Sequence, residues 1–185
     1  MITAGISSSV FAAFPVWYKL PLNVQNNMAK LAICSSMYHI YDNQLKLKDK
    51  ETDKEADKET DKENKIEKTS KQNLTLRAFE CLDGMTIILC CGNYWLPERN
   101  VNGLMQMYAV MKMVSNIEII KHSMYFSTAA VAIRNTPRCS LPFGTALLGI
   151  HNYFKNNEKW NHINRTIWHI SNSIFVTMSY LYKPY

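Results

Sequence analysis

Apolar residues fall in blocks along this chain, separated by prolines, polar turns and one long charged stretch. Ile2 to Tyr18 runs 17 residues without a charge and closes on Trp17, Tyr18 and Lys19, with Pro21 just beyond. That pattern predicts a helix with a stop signal and an interfacial aromatic anchor. A second helix is expected from Met28 to Leu45, with Ser35 and His39 four residues apart and so on one face. A third runs from Arg77 to Pro97, a methionine-rich fourth from Val101 to Ile120, and a fifth from His122 to Ile133. Pro137 and Pro142 bracket a loop, and Leu141 to Phe154 makes a sixth helix carrying Gly144 and Gly149. After a polar turn, Ile163 to Tyr182 makes a seventh of twenty residues. The expected fold class is all-α: a polytopic membrane bundle of seven transmembrane helices, with five or six left open by the weakly marked fourth and fifth.

Residues 46–72 break this pattern, with nine lysines and nine acidic residues. A Thr/Ala-Asp-Lys-Glu tetrad starts at Thr52, Ala56 and Thr60. Its period of four sets Lys and Glu for helical pairing, but there is no apolar face to bury. A disordered insert, or a short helix on its own, is expected there. The chain thus divides into helices 1 and 2 (1–45), the charged insert (46–72) and helices 3 to 7 (73–185).

Setting the insert aside changes the composition. The other 158 residues hold twelve Lys/Arg and six Asp/Glu, under half the charged share of about a quarter in soluble domains. A membrane lipid bilayer is therefore the expected partner and integral membrane the expected location; a soluble helical protein remains an alternative. The net charge of +6 comes from this apolar part, yet no basic stripe forms, so no nucleic-acid partner is expected. Gly-rich phosphate loops, nucleophile elbows and CxxC pairs are absent from the sequence. Cys34, Cys81, Cys90, Cys91 and Cys139 lie in or beside apolar stretches and read as small buried hydrophobes. The first residues lack a basic region before the apolar run, so a first helix rather than a cleaved signal is expected. Asn73-Leu-Thr75 and Asn164-Arg-Thr166 match the glycosylation pattern.

Ionisable groups in membrane helices are costly and so point to function. Ser35, His39, Asp83 and His169 stand out. Imidazoles from the second and last helices, with an acid from the third, could converge on Zn²⁺, with water completing a tetrahedron. Such water ionises near neutral pH and attacks a carbonyl. Asp83 would then be a ligand or the base that takes the water proton, and Ser35 would orient a ligand or stabilise charge on the substrate oxygen. The alternative is that each residue is an interhelical hydrogen bond.

Ser35-Ser-Met-Tyr-His39, then Cys81-Leu-Asp83-Gly-Met-Thr, then Thr166-Ile-Trp-His169, taken in that order, resemble the CREST superfamily. That group includes alkaline ceramidases, progestin and adipoQ receptors, haemolysin III proteins and myomaker-like proteins. The resemblance implies seven helices, an intramembrane zinc held by histidines, and hydrolysis of a lipid amide in active members. It matches His39 and His169 to zinc ligands, and Asp83 and Ser35 to the family's acid and serine. The chain departs from the family where the last helix should pair two histidines four apart: position 165 is Arg and position 173 is Ser. His162 lies about 10 Å along the helix from His169, too far to share one ion. Asp83 or His151 would have to supply the third ligand. Otherwise the chain is a non-catalytic receptor or interaction protein of the same fold. Arg165, if it points inward, opposes a bound cation.

Overall fold

The computed structural model describes residues 7–55, 62–155 and 161–183. Among them are seven α-helices and no strand. We number them α1 (Val10–Trp17), α2 (Leu22–Glu55), α3 (Lys62–Gly92), α4 (Glu98–Ser115), α5 (Ile119–Asn135), α6 (Ser140–Lys155) and α7 (Asn161–Leu181), with a 3-10 turn at Pro137–Cys139 before α6. The all-α class holds, but two expected helices differ: the first has its helix at Val10–Trp17, with residues 2–6 outside the described residues, and the fourth, expected from Val101 to Ile120, ends at Ser115, with Ile119 and Ile120 opening α5.

Helix ends follow the local chemistry. Pro15 sits in α1, and Lys19 just beyond it takes a left-handed φ of 51° that turns the chain into α2. Pro97 lacks an N–H and precedes α4, where no intrahelical partner is needed. Asn116 ends α4 at φ 54°, a conformation Asn tolerates better than most side chains, and its N–H bonds back to the Lys112 carbonyl. The charged segment read as a disordered insert has helical backbone at 46–55, continuing α2, and at 62–72, opening α3; residues 56–61 lie outside the described residues. Lys and Glu are good helix formers, and opposite charges at i, i+3, such as Lys48 with Glu51 and Glu51 with Lys54, suit that extension, although the four-residue repeat sets like charges at i, i+4.

The packing builds a closed set of neighbours. α1 rests on α2 and α7, α3 contacts α2, α4 and α5, and α6 lies along α7. One apolar cluster gathers Phe11, Val24, Met28, Leu31 and Cys90. A second joins Ile88, Val101, Tyr108 and Met124, and a third joins Tyr94, Ala129, Cys139 and Phe175. Two glycines allow close helix approach. A Cβ at Gly84 would collide with the Tyr108 ring, and one at Gly149 would stand 3.1 Å from the Asn164 carbonyl and the Trp168 amide of α7. Gly144, grouped with Gly149 in the sequence, faces open space.

Beside these apolar clusters the interior also holds many polar side chains, and many large apolar side chains are exposed. Ser8, Ser35, His39, Asp42, His169, Asn172 and Ser173 are buried, whereas Leu22, Ile33, Met107, Val114, Leu141 and Leu148 are exposed. α7 condenses the pattern: Asn164, His169, Asn172, Ser173, Thr177 and Ser179 face inward, while Ile163, Ile167 and Ile170 are exposed. Among the described residues no helix is long and apolar enough to cross a membrane.

Candidate polar site and cavity

A cavity of about 490 Å³ opens between α1, α2, α3, α5, α6 and α7. That is within the range of about 300–1,000 Å³ typical of small-molecule sites. Its walls are mostly apolar, with Phe11, Leu31, Ile87, Phe126, Leu147 and Val176 among them. All four residues singled out in the sequence, Ser35, His39, Asp83 and His169, line it.

α2 supplies Ser35 and His39 from one face because they are one helical turn apart. Ser35 accepts a hydrogen bond from Ser8 at 3.4 Å, and it lines the cavity together with Asp83 of α3. Asp83 Oδ1 is sequestered from solvent and has no hydrogen-bond partner among the described residues. His39 Nε2 lies 3.1 Å from His169 Nε2, with ring centroids 4.9 Å apart. The far nitrogen of His169, Nδ1, is 2.7 Å from Ser7 Oγ, and the Phe11 ring meets the imidazole edge-on at 5.9 Å. The far nitrogen of His39, Nδ1, is 3.5 Å from Arg165 Nη1, and Arg165 Nη2 is 3.5 Å from Asp42 Oδ2. Arg165 therefore points inward, onto the face of α2 that carries His39 and Asp42.

Ser7, Ser8 and Arg165 belong to this cluster; the sequence left the direction of Arg165 open and did not single out the two serines. A signal existed for the serines: consecutive hydroxyls inside an otherwise apolar run need buried partners. Two further polar contacts brace the bundle nearby. Tyr125 donates to the side-chain amide oxygen Oδ1 of Asn172, joining α5 to α7. Lys112 of α4 stands 2.7 Å from both Glu80 and Glu118, almost fully buried between them.

The two imidazoles stand at a spacing that would suit zinc. Two nitrogens bound tetrahedrally at about 2.0 Å stand about 3.3 Å apart, close to the observed 3.1 Å. The third ligand is the difficulty. Among the described residues no group of three His, Cys, Asp or Glu side chains is placed to hold a metal. Asp83 lines the cavity without joining the imidazoles in such a group, and His151 is exposed on α6 and does not line the cavity. The side chain of His162 lies outside the described residues. Arg165 occupies the register, one turn before His169, from which a third imidazole would reach. The described residues do not complete a zinc site. The glycosylation reading changes as well: Asn164 is buried in α7, where an acceptor must be accessible. Asn73 has its side chain outside the described residues.

Family models, curated proteins and solved structures give no match to this chain.

Proposed function

We propose that this chain is a multi-pass membrane protein that binds an amphipathic, lipid-like molecule in its central cavity. The observation that carries this reading is the set of buried polar side chains that shares its helices with exposed large apolar ones, most clearly on α7. Buried polar groups are informative in a folded protein. Water would penalise the exposed apolar faces, whereas lipid solvates them and drives polar side chains inward. α7, with 21 residues, is about 31 Å long, close to the hydrocarbon thickness of about 30 Å.

The cavity suits a ligand with an apolar body and a polar head. The Asp83 Oδ1 without a partner calls for a hydrogen-bond donor on that head, an amide N–H or a hydroxyl. Convergence of Ser35, His39, Asp83 and His169 on one cavity supports the resemblance to the CREST superfamily. The donor set favours the non-catalytic form of that resemblance over a zinc-dependent lipid amide hydrolase.

Alkaline carbonate washing of membranes from cells expressing the chain is expected to leave it in the pellet. Mass spectrometry of the protein purified in mild detergent is expected to find a bound amphipathic lipid, lost in Ile87→Trp, which fills the cavity. Release of the chain by carbonate overturns the membrane reading. A lipid-free purified protein overturns the binding role.

A further inference from the structure

We infer that Arg165 sets the proton order of the buried histidine pair and thereby excludes divalent metal from a site that is otherwise one ligand short of complete. The inference stands on hydrogen-bond geometry and does not depend on the bundle lying in a membrane.

A guanidinium has donors only, five N–H groups and no acceptor, and stays protonated at any pH a protein survives. Its Nη1, 3.5 Å from His39 Nδ1, therefore requires that nitrogen to present its lone pair. The remaining proton of neutral His39 must sit on Nε2. That nitrogen faces His169 Nε2 at 3.1 Å, so His39 donates and His169 accepts. The proton of His169 then lies on Nδ1, where it is donated to Ser7 Oγ at 2.7 Å. One direction runs through the whole chain, from Arg165 to His39 to His169 to Ser7.

Two consequences follow from that direction. His169 holds a proton on the nitrogen that faces Ser7, so it does not accept one from that serine, and the Ser–His–His array is not a nucleophile–base relay. A metal ion between the rings needs both Nε2 lone pairs. Metal-bound histidines normally donate their other N–H to a carboxylate or carbonyl. For His39 that outer partner is a donor. Binding metal at His39 Nε2 would put an N–H on Nδ1 against the guanidinium N–H and bring a dication close to a fixed positive charge. Asp42, 3.5 Å from Arg165, helps to hold the guanidinium in this place.

The same geometry makes the exclusion reversible by one substitution. Residues 165 and 169 share a face of α7 at i, i+4 spacing, the arrangement by which two helical histidines bind one zinc. Arg165→His removes the donor from His39 Nδ1 and adds a third imidazole beside two that already meet at near-tetrahedral spacing.

The test is zinc content, by plasma mass spectrometry, of wild-type, R165H and R165H/H39A proteins purified from zinc-supplemented cells and dialysed. Wild type is expected to carry no stoichiometric zinc, R165H about one ion per chain, and R165H/H39A none. Nitrogen-15 spectra of the wild-type imidazoles are expected to place the proton on Nε2 of His39 and Nδ1 of His169. Stoichiometric zinc on wild type, zinc-free R165H with an unchanged thermal melt, zinc retained by R165H/H39A, or the opposite tautomers overturns the inference. If R165H does not fold, the smaller R165C supplies a thiolate ligand from the same position and is judged by the same outcomes.

Discussion

His39 Nε2 meets His169 Nε2 at 3.1 Å, although 130 residues separate them in the chain. The contact fastens α2 to α7, and Ser7 on one side and Arg165 on the other extend it into a buried polar chain. Removing a central member takes one partner from each neighbour. His169→Ala leaves Ser7 and His39 without that partner, and each loss of a buried hydrogen-bond partner costs about 1–3 kcal/mol. Thermal unfolding in detergent is expected to shift down accordingly, with His169→Gln recovering part of the loss through its amide. An unchanged midpoint for His169→Ala would show that the chain contributes nothing to stability.

Lys112 should be among the least replaceable residues of α4. It lies almost fully buried, 2.7 Å from both Glu80 and Glu118. Truncating the cation leaves two carboxylates facing each other, and breaking a buried ion pair from one side costs about 3–5 kcal/mol. Lys112→Ala is expected to fail to accumulate, and the triple change that also makes Glu80→Gln and Glu118→Gln to recover. Normal expression of the single variant would contradict this.

Glu118 gives that cluster a pH dependence. Burial raises its pKa, but hydrogen bonds and charge from Lys112 and Lys121 outweigh burial and hold it at about 2, against 4.5 for the free group. A carboxylate with a lowered folded-state pKa contributes stability that is fully present above its unfolded value. That contribution should persist at neutral pH, decline as pH falls below about 4.5, and be lost by about 2. Glu118→Gln is expected to flatten the unfolding midpoint across this acid window. A midpoint profile identical to wild type would rule Glu118 out as its source.

Gly149 and Gly144 are expected to respond oppositely to the same change. A Cβ at Gly149 would sit 3.1 Å from two backbone atoms of α7, and backbone cannot move aside as a flexible side-chain end does. Gly144 has nothing within 4 Å. Gly149→Val should destabilise by more than about 1 kcal/mol through overpacking, whereas Gly144→Val should stay within about 0.5 kcal/mol of wild type. Equal melts for the two variants would contradict the α6–α7 crossing.

Tyr108 carries a buried hydroxyl with no hydrogen-bond partner among the described residues. Burying such a group costs free energy that its removal returns. Tyr108→Phe keeps the ring that fills the space beside Gly84 and should leave stability unchanged or slightly raised in a denaturant titration. A clear loss would reveal a partner for the hydroxyl.

The amino-acid pattern by itself determined seven apolar blocks, the prolines and polar turns that end them, and the residues of chemical interest. Period and punctuation are local properties, so a helix such as α7 can be read from its own 21 residues. The helical backbone of 46–55 and 62–72 was less legible, because a Lys–Glu repeat favours a helix without giving it a face to bury. Ser35 and His39 shared a face by spacing alone. That Asp83 and His169 would line one cavity with them followed only from how α2, α3 and α7 pack. Arg165 shows the limit most clearly. Its place four residues before His169 was visible in the sequence, but whether it faced outward or lay against His39 and Asp42 was not. A side chain's direction in a bundle depends on helix rotation and on partners more than a hundred residues away, which only tertiary packing fixes.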